Sequence, residues 1–386
     1  MNWWASSNGG DPTGRLPACS GGGVSVWLGG RYSTPYKLTD YNLAKSSDVI
    51  TTIAMFDGVE VAIYHPKEFA KKRPGSAMIY FHGGGFTIGS IASYASLTMK
   101  IAEKTGMLVI VPEYRLVPDH PFPAGFDDCL RVTKHFIERA REFDVDPNKI
   151  VLSGDSAGGN MAAGISVELA KQLDTNQKHP VCMMNLIYPS LQKANFQLPS
   201  FLQNRNPPTL PPELVGRFSL TYLGFENETR FIPLILKNAH MIGFDDKDGI
   251  LQGMSEKWIP QKYKERTYSK PEIAQLTDEE KKSFSAVSSK LQSVVSDTRM
   301  GPLAASDSLL RKLPIANVMT CEYDVLRDDG IIFYERMKAL GKRVTHQNWE
   351  FGAHGLINMY GIAEYYQLER EMNYMFELIS KVVEQC

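Results

Sequence analysis

Gly154-Asp155-Ser156-Ala157-Gly158-Gly159-Asn160 follows the apolar, strand-like run Ile150-Val151-Leu152-Ser153 and opens a helix-like stretch. A serine among small residues at a strand-to-helix junction has the form of a nucleophile elbow. Gly154 and Gly158 permit the sharp turn that lifts the Ser156 hydroxyl into the open, and Asp155 belongs to the same supporting frame. Ala157 then offers its amide N–H to an oxyanion. On its own a G-x-S-x-G string is weak, because glycine and serine are common in surface loops.

A second run implies the same chemistry. Phe81-His82-Gly83-Gly84-Gly85-Phe86 follows the strand-like Ala77-Met78-Ile79-Tyr80, and consecutive glycines let backbone N–H groups face a developing negative charge. Gly83 and Gly84, with Ala157, are therefore the expected oxyanion donors. Gly85 completes the turn, and His82 is expected to brace it rather than to carry a proton.

A hydroxyl is a poor nucleophile at neutral pH, so a base must lie within hydrogen-bond reach and a carboxylate must hold that base in the right tautomer. In hydrolases of this kind the chain order is serine, acid, histidine. Downstream, Ala316–Cys321 reads as a buried strand, and Asp324 follows at its carboxyl end, where the catalytic groups of parallel sheets collect. Glu322, Asp328 and Asp329 are rivals; the last two precede a helix-like stretch and are expected to cap its N-terminus. Only His346 and His354 follow Asp324. His346 lies in the alternating run 344–349 and reads as a half-exposed sheet residue. His354, in the loop Gly352-Ala353-His354-Gly355, is the expected base. His65, His120, His135, His179 and His240 have no comparable setting and read as surface or satisfied core residues.

These motifs, together with Glu113-Tyr114-Arg115-Leu116-Val117-Pro118, Phe122-Pro123-Ala124 and the run from Cys321 to Gly330, resemble the hormone-sensitive-lipase-like branch of the α/β-hydrolases, and within it the arylacetamide deacetylase group of microsomal esterases. The resemblance covers about residues 50 to 386. It implies a carboxylester hydrolase, with side activity on aryl amides, that acts on lipid-like or xenobiotic substrates through an acyl-enzyme. It also implies an endoplasmic-reticulum location through an N-terminal anchor helix. The sequence departs from that last feature: no run of about 18 apolar residues occurs, and residues 1–45 form a glycine-rich leader, expected to be disordered. Isolated aromatics there (Trp3, Trp4, Trp27) are not expected to build structure.

Strand-like runs at Ala77–Phe81, Leu108–Val111, Ile150–Ser153, Cys182–Tyr188 and Ala316–Cys321 alternate with helical stretches such as Asp127–Arg141 and Asn160–Leu173. That alternation predicts an α/β fold with a mostly parallel central sheet covered by helices. It breaks down at about 190–302, which reads as a helical cap inserted into the hydrolase domain 46–386. Leu210, Phe218, Tyr222, Leu223, Phe225 and Phe231 are candidates for a pocket roof there. The charged stretch 278–282 reads as a solvated helix face.

With 42 basic against 43 acidic side chains, a net charge of −1 makes nucleic acid an unsuited partner. Five cysteines without C-x-x-C spacing indicate neither zinc nor a disulfide framework; most are expected to be buried thiols. In lumenal members of the resembled group a cysteine after the glycine turn can pair with the one before the acid, but Thr87 holds that place, so Cys321 is expected to lack that partner. Asn227-Glu228-Thr229 is a glycosylation candidate at Asn227. Neither a Walker A loop nor H-E-x-x-H nor a dinucleotide fingerprint occurs, so no cofactor and no metal is expected.

Because the base must be neutral, activity is expected to rise with pH through roughly 6.5–7, the ordinary histidine range. Two alternatives remain at this stage. A receptor-type homologue such as the plant gibberellin receptor binds a small molecule without turnover, but there the catalytic histidine is replaced. An interfacial neutral lipase would add association with a membrane surface. The expected partner is a small-molecule ester or lipid, and nothing in the sequence sets an oligomeric state.

Overall fold

The computed structural model describes residues 48–386, apart from 68, 70–73, 175–176, 247–248, 273 and 362–364. The leader, its three tryptophans and Cys19 lie outside the described residues. Eight strands form one sheet in the order β1-β2-β4-β3-β5-β6-β7-β8. They are β1 Val49–Phe56, β2 Val59–Pro66, β3 Gly75–Phe81, β4 Leu108–Pro112, β5 Val145–Asp155, β6 Met183–Ile187, β7 Ile315–Tyr323 and β8 Val344–Ala353. The β1/β2 and β2/β4 pairings are antiparallel, and all others are parallel.

The sequence reading found β3 to β7 because strands covered on both faces must be nearly continuous apolar runs, and it read β8, the half-exposed strand at the sheet edge, from the alternation of 344–349. It passed over β1 and β2. Their signal was a short-range one: Asp57-Gly58 joins them, and both residues take positive φ, 46° and 81°, as a tight hairpin turn requires.

Alternate residues of each strand feed two cores. Ile79, Ile110 and Leu152 point to one face and meet Phe126, Phe136 and Met161. Met78, Val109 and Val151 point to the other and meet Ile91, Leu97, Met372 and Phe376. Three helices matter for the site: α1 Ile91–Thr105, α2 Ala124–Arg139 and α3 Ala157–Lys171. The last helix, Tyr366–Val383, buries Leu368, Met372, Met375 and Ile379, spaced for one helical face.

Between β6 and β7 the described residues form helices and turns but no strand, from Pro199–Gln203 through Pro212–Tyr222 to Asp278–Val295. This helical cap lies on the chain between the strand after the elbow and the strand that leads to Asp324. The charged stretch expected to be solvated opens Asp278–Val295, where Thr277 and Glu280 form a reciprocal capping box.

Two expectations need correction. Cys182, just before β6, is disulfide-bonded to Cys386, while Cys129 and Cys321 are buried free thiols. The two cysteines are 204 residues apart, so spacing carried no hint; packing of the terminal helix on the sheet brings their Cα atoms to 6.1 Å. Asp328 and Asp329 do not cap the helix Arg327–Ala339. Its N-cap is Leu326, without a side-chain cap bond, and both carboxylates instead accept backbone N–H groups of the segment after β6: Ser200 to Asp328 (2.7 Å) and Leu191 to Asp329 (2.8 Å).

Candidate active site

The carboxyl ends of β5, β7 and β8 converge, and with them Ser156, Asp324 and His354. Ser156 takes φ 57° and ψ −115°, a sparsely populated conformation that costs a non-glycine residue about 1–3 kcal/mol. Glycines make the turn possible: a Cβ on Gly158 would collide with the carbonyl oxygen of Phe81 in β3. The Ser156 N–H donates to Ile187 O at 2.9 Å. Although Ser156 occupies the N-cap position of α3, its hydroxyl makes no cap bond, which leaves Oγ available to the histidine.

His354 Nε2 lies 2.8 Å from Ser156 Oγ, and His354 Nδ1 lies 2.8 Å from Asp324 Oδ2. Asp324 is fully buried, and its other oxygen accepts the Leu326 N–H at 2.9 Å. The imidazole is thus held between hydroxyl and carboxylate, with the Tyr188 ring packed 4.7 Å away. The rival carboxylate Glu322 pairs with Arg266 and Arg327, each at 2.8 Å. His346, on β8, contacts Thr320 Oγ1 of β7 at 2.9 Å; burial lowers its pKa to about 4.

The glycine turn is braced from below. His82 is buried and stacks on Tyr114 at 4.2 Å. Its Nδ1 donates to Gly83 O at 2.8 Å, and Tyr114 OH donates to His82 O at 2.8 Å. Burial drives the His82 pKa down to about 4, so this ring is neutral at physiological pH. Asp155 receives Tyr80 OH at 2.9 Å, Tyr94 OH at 3.0 Å and the Gly83 N–H at 3.0 Å. Burial pushes its carboxyl pKa upward, against the pull of these hydrogen bonds and of His354.

One expected donor is therefore spoken for. The Gly83 N–H is directed to Asp155, and it also lies 3.1 Å from Tyr94 OH. Among the described residues no acceptor is assigned to the N–H groups of Gly84 or Gly85, and Ala157 stands at the first position of α3, whose N–H has no partner within a helix. Of the amides at the turn and the elbow, those of Gly84, Gly85 and Ala157 are thus without an internal acceptor among the described residues. Sequence reasoning treated Gly85 only as part of the turn, and it missed Tyr80 and Tyr94 altogether. For Tyr114 a signal existed, since it lies in the Glu113-Tyr114-Arg115 motif. Glu113 accepts the Ile91 N–H at the start of α1, and Arg115 pairs with Asp128 in α2 at 2.8 Å.

Two roof candidates reach the glycine turn. Phe218 packs directly on Gly85, and Tyr222 stacks on Phe86 at 3.8 Å. Phe231 instead packs inside the cap on Phe284, at 5.1 Å. Asn227 is exposed. Among the described residues no group of three or more His, Cys, Asp or Glu side chains is placed to hold a metal ion, and no helix is long and apolar enough to cross a membrane.

An elbow serine, a downstream acid and a downstream histidine on a mostly parallel sheet define the class as α/β-type hydrolytic enzymes. The family model described as the alpha/beta hydrolase fold matches residues 78–243 and 251–358, and the chain belongs to that family and is a hydrolase. It is 32% identical over 335 residues to arylacetamide deacetylase of Oryctolagus cuniculus, an alignment that covers 84% of this chain and 79% of that one. To neutral cholesterol ester hydrolase 1 of Bos taurus it is 33% identical over 314 residues, 80% and 74% of the two chains. Carboxyl esterase 2 of Tuber melanosporum shares the fold with a TM-score of 0.64 at 20% identity, over 89% of each chain. The esterase of Pyrobaculum calidifontis does so with a TM-score of 0.61 at 22% identity, over 88% of this chain and 87% of that one.

Proposed function

We propose that this chain is a serine carboxylester hydrolase that acts on lipid-like or aryl esters, and on aryl amides more slowly, through an acyl-enzyme. The observation that carries this reading is the continuous relay from Ser156 Oγ to His354 Nε2 and from His354 Nδ1 to Asp324, each link 2.8 Å long. In this mechanism Ser156 attacks the carbonyl carbon while His354 takes its proton, and Asp324 stabilises the imidazolium. The amides of Gly84, Gly85 and Ala157 hold the oxyanion; one such donor contributes about 3–4 kcal/mol, on the order of a hundredfold to a thousandfold in rate. His354 protonates the leaving alcohol and then activates water to clear the acyl group. Alkoxides leave more readily than amide nitrogens, which need protonation as the bond breaks, so esters are the faster substrates.

The apolar cap side chains over the glycine turn, Phe218 and Tyr222, and relatives named as a deacetylase and a cholesterol ester hydrolase support a hydrophobic substrate. We further propose a lumenal, endoplasmic-reticulum setting: the Cys182–Cys386 disulfide and the exposed acceptor Asn227 fit an oxidising compartment with glycosylation. The test is hydrolysis of p-nitrophenyl esters from acetate to palmitate by this chain and by Ser156→Ala, with pre-steady-state bursts recorded. A burst and turnover that vanish in Ser156→Ala are expected, and the length profile sizes the pocket. Undiminished turnover by Ser156→Ala would overturn the reading, and binding without turnover by the parent would replace it with the receptor-type alternative.

A further inference from the structure

Ten residues of the cap, 200–209, reach the backbone on both sides of the proposed relay. On the acid side, Ser200 Oγ donates to Val325 O at 2.6 Å, and Asn204 Nδ2 donates to Asp324 O at 3.1 Å. Ser200 and Asn204 are both buried. Asn204 is itself oriented, because its Oδ1 accepts from Arg266 Nη2 at 3.1 Å, and the same guanidinium nitrogen donates to Glu322 O at 2.9 Å. On the base side, Thr209 Oγ1 donates to His354 O at 2.8 Å. Asp324 is separated from His354 by 30 residues of helix and strand. Within the hydrolase domain the two are joined where Tyr323 of β7 pairs with Ala353 of β8, one residue before each of them; the cap segment adds a second tie, to the backbones beyond the strand ends.

We propose that Asn204 and Thr209 are positioning residues, which fix the backbones of Asp324 and His354 and so couple the seating of the cap to assembly of the relay. This rests on the serine-hydrolase reading above. Neither side chain touches substrate atoms in this role; each acts through the residue whose carbonyl it holds. The consequence is that a substrate or surface that lifts segment 200–209 disassembles the relay without contacting it. A displacement of the base by about 1 Å can cost on the order of a hundredfold in rate, so the coupling has a large range.

The experiment compares the full chain with Asn204→Asp, Asn204→Ala, Thr209→Val and Thr209→Ser on p-nitrophenyl butyrate, with active sites counted by a fluorophosphonate so that unfolded protein does not enter kcat. Asn204→Asp keeps the shape and the Arg266 partner but replaces the donor by a carboxylate facing Asp324 O. A structural role would leave it active; positioning predicts a fall in kcat of about tenfold to a hundredfold with KM little changed, equal to or larger than for Asn204→Ala. Thr209 is exposed, so Thr209→Val folds; it is expected to lose kcat several-fold and Thr209→Ser to regain it. Arg205→Ala, which removes only an exposed pair with Glu272, is the control with unchanged kcat. Wild-type kcat per labelled site in Asn204→Asp and Thr209→Val overturns the positioning role while the serine-hydrolase reading stands. If the parent chain is neither labelled nor active, that reading falls and takes the positioning role with it.

Discussion

The carboxylate of Asp155, the residue before Ser156, accepts the N–H of Gly83 at 3.0 Å, so the elbow and the glycine turn are one hydrogen-bonded unit. Asp155→Ala leaves Gly83 N–H, Tyr80 OH and Tyr94 OH without their shared acceptor. Each buried polar group left unpaired costs about 1–3 kcal/mol, and the turn that carries the proposed oxyanion donors loses its anchor. Expected outcomes are a lower thermal midpoint and a kcat reduced by about a hundredfold per labelled site. A midpoint shift with kcat unchanged would show that the turn holds its shape without Asp155.

The same bond redistributes the oxyanion contacts. In a crystal complex with a boronic-acid or phosphonate inhibitor on Ser156, the anionic oxygen is expected about 2.7–3.1 Å from the N–H groups of Gly84, Gly85 and Ala157, with Gly83 still bonded to Asp155. An inhibitor oxygen on the Gly83 amide would restore the assignment read from sequence. A second check is Gly84→Ala: Gly84 takes φ 110°, and a Cβ there would collide with Ile88 O, so loss of most activity is expected even if the chain folds.

What the sequence disclosed, and what it withheld, follows the range of the interactions. Parallel strands were readable because burial on both faces leaves only apolar residues in Leu108–Val111 or Ile150–Leu152. The pairing of Ser156, His354 and Asp324 was readable because chain order on a parallel sheet constrains which carboxylate and which histidine can meet. Which of three adjacent glycines has a free N–H was not, since the acceptor of Gly83 lies 72 residues away. The acidic pair Asp328-Asp329 looked like a capping signal by position, yet its partners come from a cap segment more than 120 residues earlier. Likewise the Cys182–Cys386 bond depends on where the last helix ends in space, which no local pattern encodes.

That disulfide makes a separable prediction, because Cys182 precedes β6 and so lies at the opposite end of the strand from the site. Cross-links over long loops stabilise mainly by restricting the unfolded chain. Cys182→Ser is expected to lower unfolding free energy by about 2–5 kcal/mol in non-reducing denaturation while kcat stays within about twofold of the parent, as for a change far from the reacting groups. Identical denaturation midpoints for parent and variant would mean that the bond does not form in solution.

Acid sensitivity is expected from histidines buried without charge, and His240 isolates one of them. It is fully buried, its Nε2 donates to Lys193 O at 2.9 Å, and its Nδ1 has no partner among the described residues. Burial lowers its pKa from 6.5 to about 4, with the hydrogen bond to Lys193 opposing only in part. Between those values the unfolded chain binds a proton that the folded chain does not, so stability falls as pH falls through the window and is fully present above it. The slope for one such group is about 1.4 kcal/mol per pH unit. Asp329 works in the opposite sense: burial raises its pKa to about 6, so it contributes stability that is lost as pH rises toward 6. The whole-protein profile mixes these effects, and a single substitution separates them. His240→Gln keeps a donor for Lys193 O but cannot titrate. Urea denaturation of parent and His240→Gln at intervals from pH 4.5 to 7.5 is expected to show two curves that run parallel above about pH 7 and converge or cross on the acid side, the difference changing by about 1.4 kcal/mol per unit. Curves parallel over the whole range would place His240 in a setting that accepts a proton as readily as the unfolded chain does.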